Sequence, residues 1–300
     1  MTTLAVDVGG TKIEAAIVDD LGNVHARARE ATASVGAEGP NLAERLVALC
    51  GRVRREARLV GLADPVRCGI GCGGPMARGG VHVSPLNIVE WRNFALLEFM
   101  TSSLRLPVAI DNDAKALALA EGWLGGAKGV DNYLAMVVST GVGAGIVVDG
   151  RLLDGASGNA GHIGHVIVEP EGRLCACGSR GCLEAEASGP SIEAWTGLAA
   201  AEATSAVRRV VGTLVGRAVA SAVSLLDLRL ALVGGSVALG FGEEFFAAAN
   251  AELEARARIE FARGVRIEPV ALGDRAPLIG AAAVALRPHI GARPGPSTDR

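Results

Sequence analysis

The feature that most constrains the fold is a repeated layout of strand, glycine-rich turn and strand. Near the start of the chain, an apolar run at 4–7 is followed by a Gly-Gly-Thr turn and a second apolar run at 13–18. The same order recurs at 133–148, where Thr-Gly-Val-Gly separates two apolar runs and Asp-Gly follows as a hairpin turn. We interpret this as an internal duplication with its boundary near 112–130, which predicts two related α/β halves.

Length and composition fit that organisation. Three hundred residues, 50% of them hydrophobic, are enough for two medium-sized cores. We predict a smaller N-terminal α/β domain at 1–113, a larger C-terminal α/β domain at 114–290, and a disordered tail rich in Pro, Gly and Ser at 291–300. A helix near 277–288 is expected to pack back on the smaller domain.

Charge and targeting signals narrow the class of protein. The formal net charge of −3 argues against a dedicated nucleic-acid binder, which normally carries a basic excess. The first ten residues lack the basic segment of a secretory signal, and no apolar run approaches the length of a bilayer span. We therefore expect a cytoplasmic protein with neither a nucleic-acid nor a membrane partner.

A cysteine-rich run predicts a structural zinc site. Cys175, Cys177 and Cys182 follow His165, and together they supply the three sulfurs and one nitrogen of a closed tetrahedral site. Gly178 and Gly181 would let the backbone turn all three sulfurs inward. The alternative is a disulfide loop, but clustered cysteines in an intracellular chain favour a metal.

Three glycine-rich turns each follow a predicted strand. They are DVGGTK at 7–12, STGVGAG at 139–145 and VGGSV at 233–237. Glycine permits positive φ angles that point successive backbone N–H groups at an anion. One such turn is ordinary in a hairpin, but three at strand ends predict a divided nucleotide site. None matches a Walker A loop or GxGxxG, so neither a P-loop NTPase nor a Rossmann dehydrogenase fits.

These motifs together resemble those of the ROK family. Asp-x-Gly-Gly-Thr-Lys near the start, an x-Gly-His element and Cys-x-Cys-Gly-x-x-Gly-Cys-x-Glu carry the resemblance, which extends from Asp7 to about Gly280. Its members are bacterial sugar kinases and sugar-responsive repressors. The resemblance implies an actin/hexokinase-like, duplicated ribonuclease H-like α/β fold, in which two domains close a cleft on ATP and a hexose, with a structural zinc loop at 165–184.

The resemblance also implies ATP, Mg²⁺ and structural Zn²⁺ as cofactors. Asp7 would orient the Mg²⁺ shell, and for Lys12 a phosphate contact competes with a solvated strand lysine. The implied zinc ligands are His165, Cys175, Cys177 and Cys182. The implied nucleotide contacts are Asp7, Gly9, Gly10, Thr11, Lys12, Thr140, Gly141, Gly143, Gly234 and Gly235.

Asp113 is the catalytic candidate. Phosphoryl transfer to a sugar hydroxyl needs a carboxylate within hydrogen-bond reach of the attacking O–H, and Asp113 ends a predicted strand where open α/β sheets bind ligands. The competing interpretation is an N-cap for the helix beginning at Ala114, and one aspartate can serve both purposes. Asp111 is the second candidate for the base.

Hexose contacts are expected from amide, carboxylate and imidazole groups, which suit paired hydroxyls. His165 would use one ring nitrogen on zinc and the other on the sugar. For Asn87, which follows Pro85, the alternative is a turn residue. The implied sugar contacts are Gly74, Asn87, Asn112, Asp113, His162, His165 and Glu184.

His162 departs from the family's usual pattern, in which a glutamate stands three residues before the zinc histidine. A histidine there resembles the family's N-acetylmannosamine kinases, and a neutral drift position or a spare metal ligand are the alternatives. LNIVEWRNFAL at 86–96 instead resembles the glucokinases. We expect phosphorylation of a hexose at C6, with glucose as the first choice of substrate and N-acetylmannosamine as the alternative.

A sugar-responsive regulator lacking its DNA-binding domain is the alternative from a different class. Those repressors carry a helix-turn-helix ahead of the Asp-x-Gly-Gly-Thr turn, and six residues before Asp7 leave no room for one. The acidic charge also argues against DNA binding. The family resemblance implies a homodimer or a homotetramer.

Overall fold

The computed structural model describes residues 1–33 and 40–287, so the tail predicted at 291–300 lies outside the described residues. The strands are β1 (Thr2–Val8), β2 (Lys12–Asp19), β3 (Val24–Ala31), β4 (Arg67–Cys72), β5 (Val108–Asn112), β6 (Tyr133–Val138), β7 (Val142–Val148), β8 (Arg151–Leu152), β9 (Leu230–Gly234) and β10 (Arg266–Pro269). The helices are α1 (Leu42–Leu59), α2 (Leu96–Leu104), α3 (Asp113–Leu124), α4 (Leu183–Ala187), α5 (Gly189–Thr196), α6 (Ser205–Leu226), α7 (Ser236–Phe241), α8 (Glu243–Arg256) and α9 (Ala276–Leu286).

Contacts divide the described residues into two compact units. Unit 1 takes in the described part of Met1–Leu124, the segment Asp154–Ala160 and the chain from Asp274 to Arg287. Unit 2 takes in Gly125–Leu153 and Gly161–Gly273. These contacts group α3 with unit 1. The domain boundary after Asp113 stays a prediction.

Unit 1 is built on a mixed sheet with the strand order β3-β2-β1-β4-β5. β2 runs antiparallel to both β1 and β3, whereas β4 and β5 are parallel to β1. β1 is buried along its whole length, so it forms the centre of the sheet. Because β1, β4 and β5 are parallel, their carboxyl ends meet at one edge of the sheet.

In unit 1, α1 begins at a side-chain cap and α9 packs closely on the sheet. Asn41 caps α1 in a capping box: its Oδ1 accepts the Glu44 N–H at 3.0 Å, and Glu44 returns a 3.0 Å bond to the Asn41 N–H. The apolar residues that recur at helical spacing along α1 are buried. α9 lies against β4 so closely that a Cβ at Gly69 would come within 1.9 Å of the Ala281 carbonyl oxygen.

Unit 2 has a second mixed sheet with the order β10-β9-β6-β7-β8. β6, β7 and β8 form an antiparallel meander, and β9 and β10 are parallel to β6. Matching β6 to β1 and continuing in chain order reproduces the order and direction of the unit 1 sheet, strand for strand. The two units therefore share one topology, as an internal duplication predicts.

α6 corrects one expectation from sequence. It is 22 residues long, and by length and composition it is apolar enough to cross a membrane, contrary to the expectation that no run approaches that length. Half of its most apolar window is buried, and its close approach to α8 depends on glycine: a Cβ at Gly216 would lie 2.3 Å from the Ala249 carbonyl oxygen. Its apolar character is thus used in packing within unit 2.

Candidate active site and metal centre

Two acidic residues lie at the carboxyl edge of the unit 1 sheet. Asp7 in β1 stands opposite Gly71 in β4, and Asp113 follows β5 as the first residue of α3. A Cβ at Gly71 would lie 3.8 Å from Asp7 Oδ1 and 3.7 Å from the Asp113 Cα, so the glycine leaves open the space that both residues border. The structure thus brings together the predicted Mg²⁺ residue and the predicted base.

The Asp7 and Asp113 carboxylates repel each other at this edge of the sheet. Burial raises the pKa of Asp7 to about 7, the neighbouring Asp113 carboxylate adds to the rise, and Lys12 opposes it. Burial likewise raises the pKa of the Cys72 thiol well above its ordinary value, with contributions from Asp113 and Asp7. A divalent cation bound here would relieve the repulsion between the carboxylates, which is the chemistry expected of a Mg²⁺–nucleotide site.

The raised pKa of Asp7 predicts an unusual pH dependence of stability for the protein without nucleotide or Mg²⁺. A carboxyl group whose pKa is raised by folding stabilises the fold below its ordinary value of 3.8, and this contribution is lost as pH rises through about 7. Asp7→Asn should therefore gain in Tm relative to wild type between pH 5 and pH 8. Thermal unfolding at both pH values measures this. A difference in Tm that stays the same at both would contradict the prediction, and the exposed Asp149→Asn serves as the control.

Asp113 is accessible and bonds the backbone at the start of α3. It is exposed, and its Oδ1 accepts the Ala114 N–H at 2.8 Å, while Asn112 Oδ1 accepts the same N–H at 3.0 Å. Asp111, the second candidate for the base, is only 5% exposed and lies 3.1 Å from Lys115 Nζ. An accessible carboxylate is needed to meet a substrate hydroxyl, so the geometry favours Asp113 over Asp111.

The first glycine turn is held by its own backbone and by Thr32. Gly9 N–H donates to the Lys12 carbonyl at 2.9 Å, and Thr32 Oγ1 donates to the Gly9 carbonyl at 2.6 Å. A Cβ at Gly10 would lie 2.6 Å from the Asn87 Cβ, so glycine here makes room for a predicted sugar contact. The carbonyl of Gly74, another predicted contact, accepts the N–H of Leu86 at 3.3 Å.

One sequence interpretation of these turns needs correction. Among the glycines predicted to bind nucleotide, only Gly235 has a positive φ, at 96°. The backbone at the other positions does not require glycine for its conformation. Lys12 Nζ lies 3.1 Å from the fully buried carboxylate of Glu14. The lysine therefore forms an ion pair within unit 1. By contrast, Gly178 and Gly181 of the cysteine run have positive φ, as predicted.

The two glycine turns of unit 2 lie side by side. Ser139 Oγ and Ser236 Oγ are 2.8 Å apart, which joins the turn at 139–143 to the turn at 234–236. Glu184 Oε2 accepts the N–H of Val142 at 2.9 Å. Sequence alone does not reveal this bond: it predicts a sugar contact for Glu184, whereas the carboxylate also ties the cysteine segment to the second predicted phosphate loop.

The four predicted zinc ligands converge in unit 2. The ligand atoms of His165, Cys175, Cys177 and Cys182 all lie within 4.8 Å of one another. Cys177 Sγ and Cys182 Sγ are 3.7 Å apart, as are Cys175 Sγ and His165 Nδ1. Sulfurs bound at zinc's usual distance in a tetrahedron lie about 3.8 Å apart, so this donor set fits a closed zinc site.

His162 lies beside this cluster without being one of its four donors. Its ring is nearly parallel to that of His165, with an interplanar angle of 14° and a centroid separation of 6.2 Å. It directly precedes the short 3₁₀ helix Ile163–His165. The interpretation of His162 as a spare metal ligand is therefore not favoured by the geometry.

The ROK family model matches residues 3–287. This match covers nearly the whole chain, and the chain belongs to the ROK family. The fold agrees: the ROK hexokinase from Thermus thermophilus superposes with a TM-score of 0.80 and 30% identity, covering 96% of this chain and 99% of that one.

Other relatives place the chain more narrowly. An N-acetylmannosamine kinase from Citrobacter koseri is 37% identical over 259 residues, which is 81% of this chain and 86% of that protein. A ROK glucokinase from Streptomyces griseus, in complex with glucose and AMPPNP, has a TM-score of 0.80 and 29% identity, covering 96% of this chain and 100% of that one. The protein is a sugar kinase of this family.

Proposed function

We propose that this protein transfers the γ-phosphate of ATP to the C6 hydroxyl of N-acetylmannosamine. The observation that carries the proposal is the 37% identity, over 81% of the chain, to a relative named N-acetylmannosamine kinase. His162 also supports it, because most sugar kinases of the family carry a glutamate at this position and a histidine there resembles the N-acetylmannosamine kinases. This choice reverses the order of the two substrates expected from sequence.

Asp113 is the proposed general base. It would accept the proton of the C6 hydroxyl as that oxygen attacks the γ-phosphorus, and its exposure at the start of α3 suits this role. Asn112, next to it, and Asn87 beside Gly10 would hold hexose hydroxyls.

The glycine turns are the proposed phosphate and nucleoside contacts. In unit 1, the turn 9–12 would offer backbone N–H groups to the β- and γ-phosphates, with Asp7 orienting the shell of Mg²⁺. In unit 2, Thr140, Gly141 and Gly143 would form the second phosphate loop, and Gly234 and Gly235 would face the adenosine. When bound, Mg²⁺ would neutralise charge that develops on the transferring phosphoryl group.

The zinc site is proposed to be structural. His165 and the three cysteines would hold the metal with four protein ligands, which would leave no position for a water nucleophile. The metal would fix the segment that ends at Glu184, whose Oε2 holds the Val142 N–H. The second carboxylate oxygen of Glu184 and the second ring nitrogen of His165 would then contact the hexose.

His162 is the proposed residue for selection of the acylated sugar. A neutral imidazole offers one donor and one acceptor where a glutamate offers only acceptors. At C2 of N-acetylmannosamine an amide replaces the hydroxyl of glucose, so its N–H or carbonyl oxygen would pair with the imidazole. A carboxylate at this position would repel the amide carbonyl oxygen and favour a free hydroxyl.

His162→Glu is therefore expected to lower the preference for N-acetylmannosamine over glucose by about tenfold or more, equivalent to about 1.4 kcal/mol in the relative transition-state binding. The ratio of the two kcat/KM values measures this. His82→Glu, which introduces the same change in unit 1 at a residue not proposed to contact the sugar, should leave the ratio unchanged. An unchanged ratio in His162→Glu would show that this residue does not select the sugar.

Glucose is the second candidate substrate, favoured by the fold match to a glucokinase and by the stretch at 86–96. The sugar-responsive regulator expected as an alternative from sequence is not proposed, because the relatives from Citrobacter koseri and Thermus thermophilus are both named as kinases. Assembly as a homodimer or homotetramer remains part of the proposal, and sedimentation of the purified protein would determine it.

A further inference from the structure

The cysteines lie on a small hairpin whose backbone is hydrogen-bonded independently of any metal. Leu174 and Arg180 face each other as an antiparallel bridge, and Gly181 N–H donates to the Arg173 carbonyl at 2.9 Å. Within the hairpin, Cys175 N–H donates to the Ser179 carbonyl at 2.7 Å. Arg173 thus stands at the base of the hairpin, directly before the ligand-bearing residues.

An acidic residue from α4 holds this base. Glu186 is only 3% exposed, and its Oε1 accepts the Arg173 N–H at 2.6 Å. Its Oε2 pairs with the guanidinium Nη1 of the same arginine. Both oxygens of one buried carboxylate are therefore used on a single residue, through its backbone and its side chain together.

Two further contacts flank the ion pair. The Arg173 guanidinium carbon lies 4.6 Å from the centre of the Trp195 ring, which belongs to α5. At Gly172 a Cβ would lie 2.3 Å from Glu186 Oε1, so glycine is needed there to admit the carboxylate. The arginine is consequently fixed on three sides, by the hairpin, α4 and α5.

We propose that Glu186 and Arg173 are positioning residues that pre-order the cysteine hairpin for zinc and, through Glu184, for the hexose. This rests on the structural zinc of the proposed function. Glu186 follows the last cysteine by four residues, and Glu184 lies between them, so displacement of the pair would disturb a zinc ligand and a proposed sugar contact together. Neither residue is proposed to touch zinc or substrate.

The test compares Glu186→Gln with wild type in three measurements on the full chain. Zinc affinity, from competition with a chromophoric chelator, should fall about 10-fold to 100-fold, as is usual when a residue supporting a metal ligand is lost. Amide hydrogen exchange at 173–182 in the metal-depleted protein should become faster. The sugar KM should rise while kcat at saturation changes little, whereas a general loss of stability would not single out these three quantities.

Three control variants distinguish loss of this ion pair from a general change of charge and from a failure to fold. Glu171→Gln removes the same charge from an exposed position shortly before the hairpin and should match wild type in all three measurements. Arg173→Lys keeps a positive charge beside Glu186. Its zinc affinity should therefore lie between that of Glu186→Gln and that of wild type. If Glu186→Gln does not fold, Arg173→Met with Glu186→Met removes both charges of the pair and leaves no buried carboxylate unpaired, and weak zinc binding is expected in that double variant too.

The outcomes are distinguishable. Zinc affinity and hairpin exchange within twofold of wild type in Glu186→Gln, or in the double variant, would overturn the proposal. If wild type binds no zinc, the zinc part of the proposed function fails, and the exchange rates alone decide: faster exchange at 173–182 supports pre-ordering by the ion pair, and unchanged exchange rejects it.

Discussion

Asp113→Asn is expected to lower kcat by about 10²-fold to 10⁴-fold, the usual contribution of a general base, while the sugar still binds. The asparagine amide can accept a hydrogen bond from the C6 hydroxyl but cannot take its proton as the phosphorus is attacked. The bond that Asp113 Oδ1 accepts from the Ala114 N–H can be kept by the asparagine oxygen, so the start of α3 should survive. Steady-state kinetics and sugar titration by calorimetry measure the two quantities.

Asp149→Asn is the matched control for this variant. Asp149 is exposed and has a φ of 52°, which asparagine tolerates well, so the same change of charge should leave kcat unaltered. An Asp113→Asn variant with kcat within threefold of wild type would show that another group takes the proton.

Lys115→Met should strongly destabilise unit 1. The side chain is 1% exposed, and its Nζ lies 2.8 Å from Asp154 Oδ1, 3.1 Å from Asp111 Oδ1 and 3.3 Å from the Gly158 carbonyl oxygen. Removing it leaves Asp111 buried without its nearest cation. Loss of one partner from a buried pair costs about 3–5 kcal/mol, which corresponds to a fall in Tm of about 10 °C for a unit of this size.

Thermal unfolding followed by circular dichroism measures the effect. Lys128→Met removes the same charge from an exposed position and should shift Tm by less than about 2 °C, as surface substitutions usually do. A similarly small shift in Lys115→Met would mean that Arg287, 3.4 Å from Asp111 Oδ2, compensates for the lost lysine.

Local features of the fold were predictable because they depend on residues close in sequence. The capping box at Asn41, the paired layouts around the glycine turns and the convergence of His165 with three cysteines all follow from short spacings. The end of β5 at Asn112 and the start of α3 at Asp113 also lie within a residue or two of expectation. These elements carry most of the candidate site.

The remaining features depend on pairs far apart in sequence. Lys115 lies among alanines and leucines in α3, and nothing local indicates that its partner is Asp154, 39 residues on. The bond from Val142 to Glu184 spans 42 residues. A positive φ angle is also not the only reason why a position needs glycine. At Gly10 and Gly69 a side chain would collide with Asn87 and Ala281, and only the packed structure reveals this.

The choice of sugar is tested by ATP-dependent phosphorylation of N-acetylmannosamine and glucose, measured side by side as kcat/KM on the wild-type protein. We expect at least a tenfold preference for N-acetylmannosamine, with phosphate found on O6 by NMR of the product. A preference for glucose of the same size would contradict the proposed function, and would make His162 a tolerated substitution in a glucokinase.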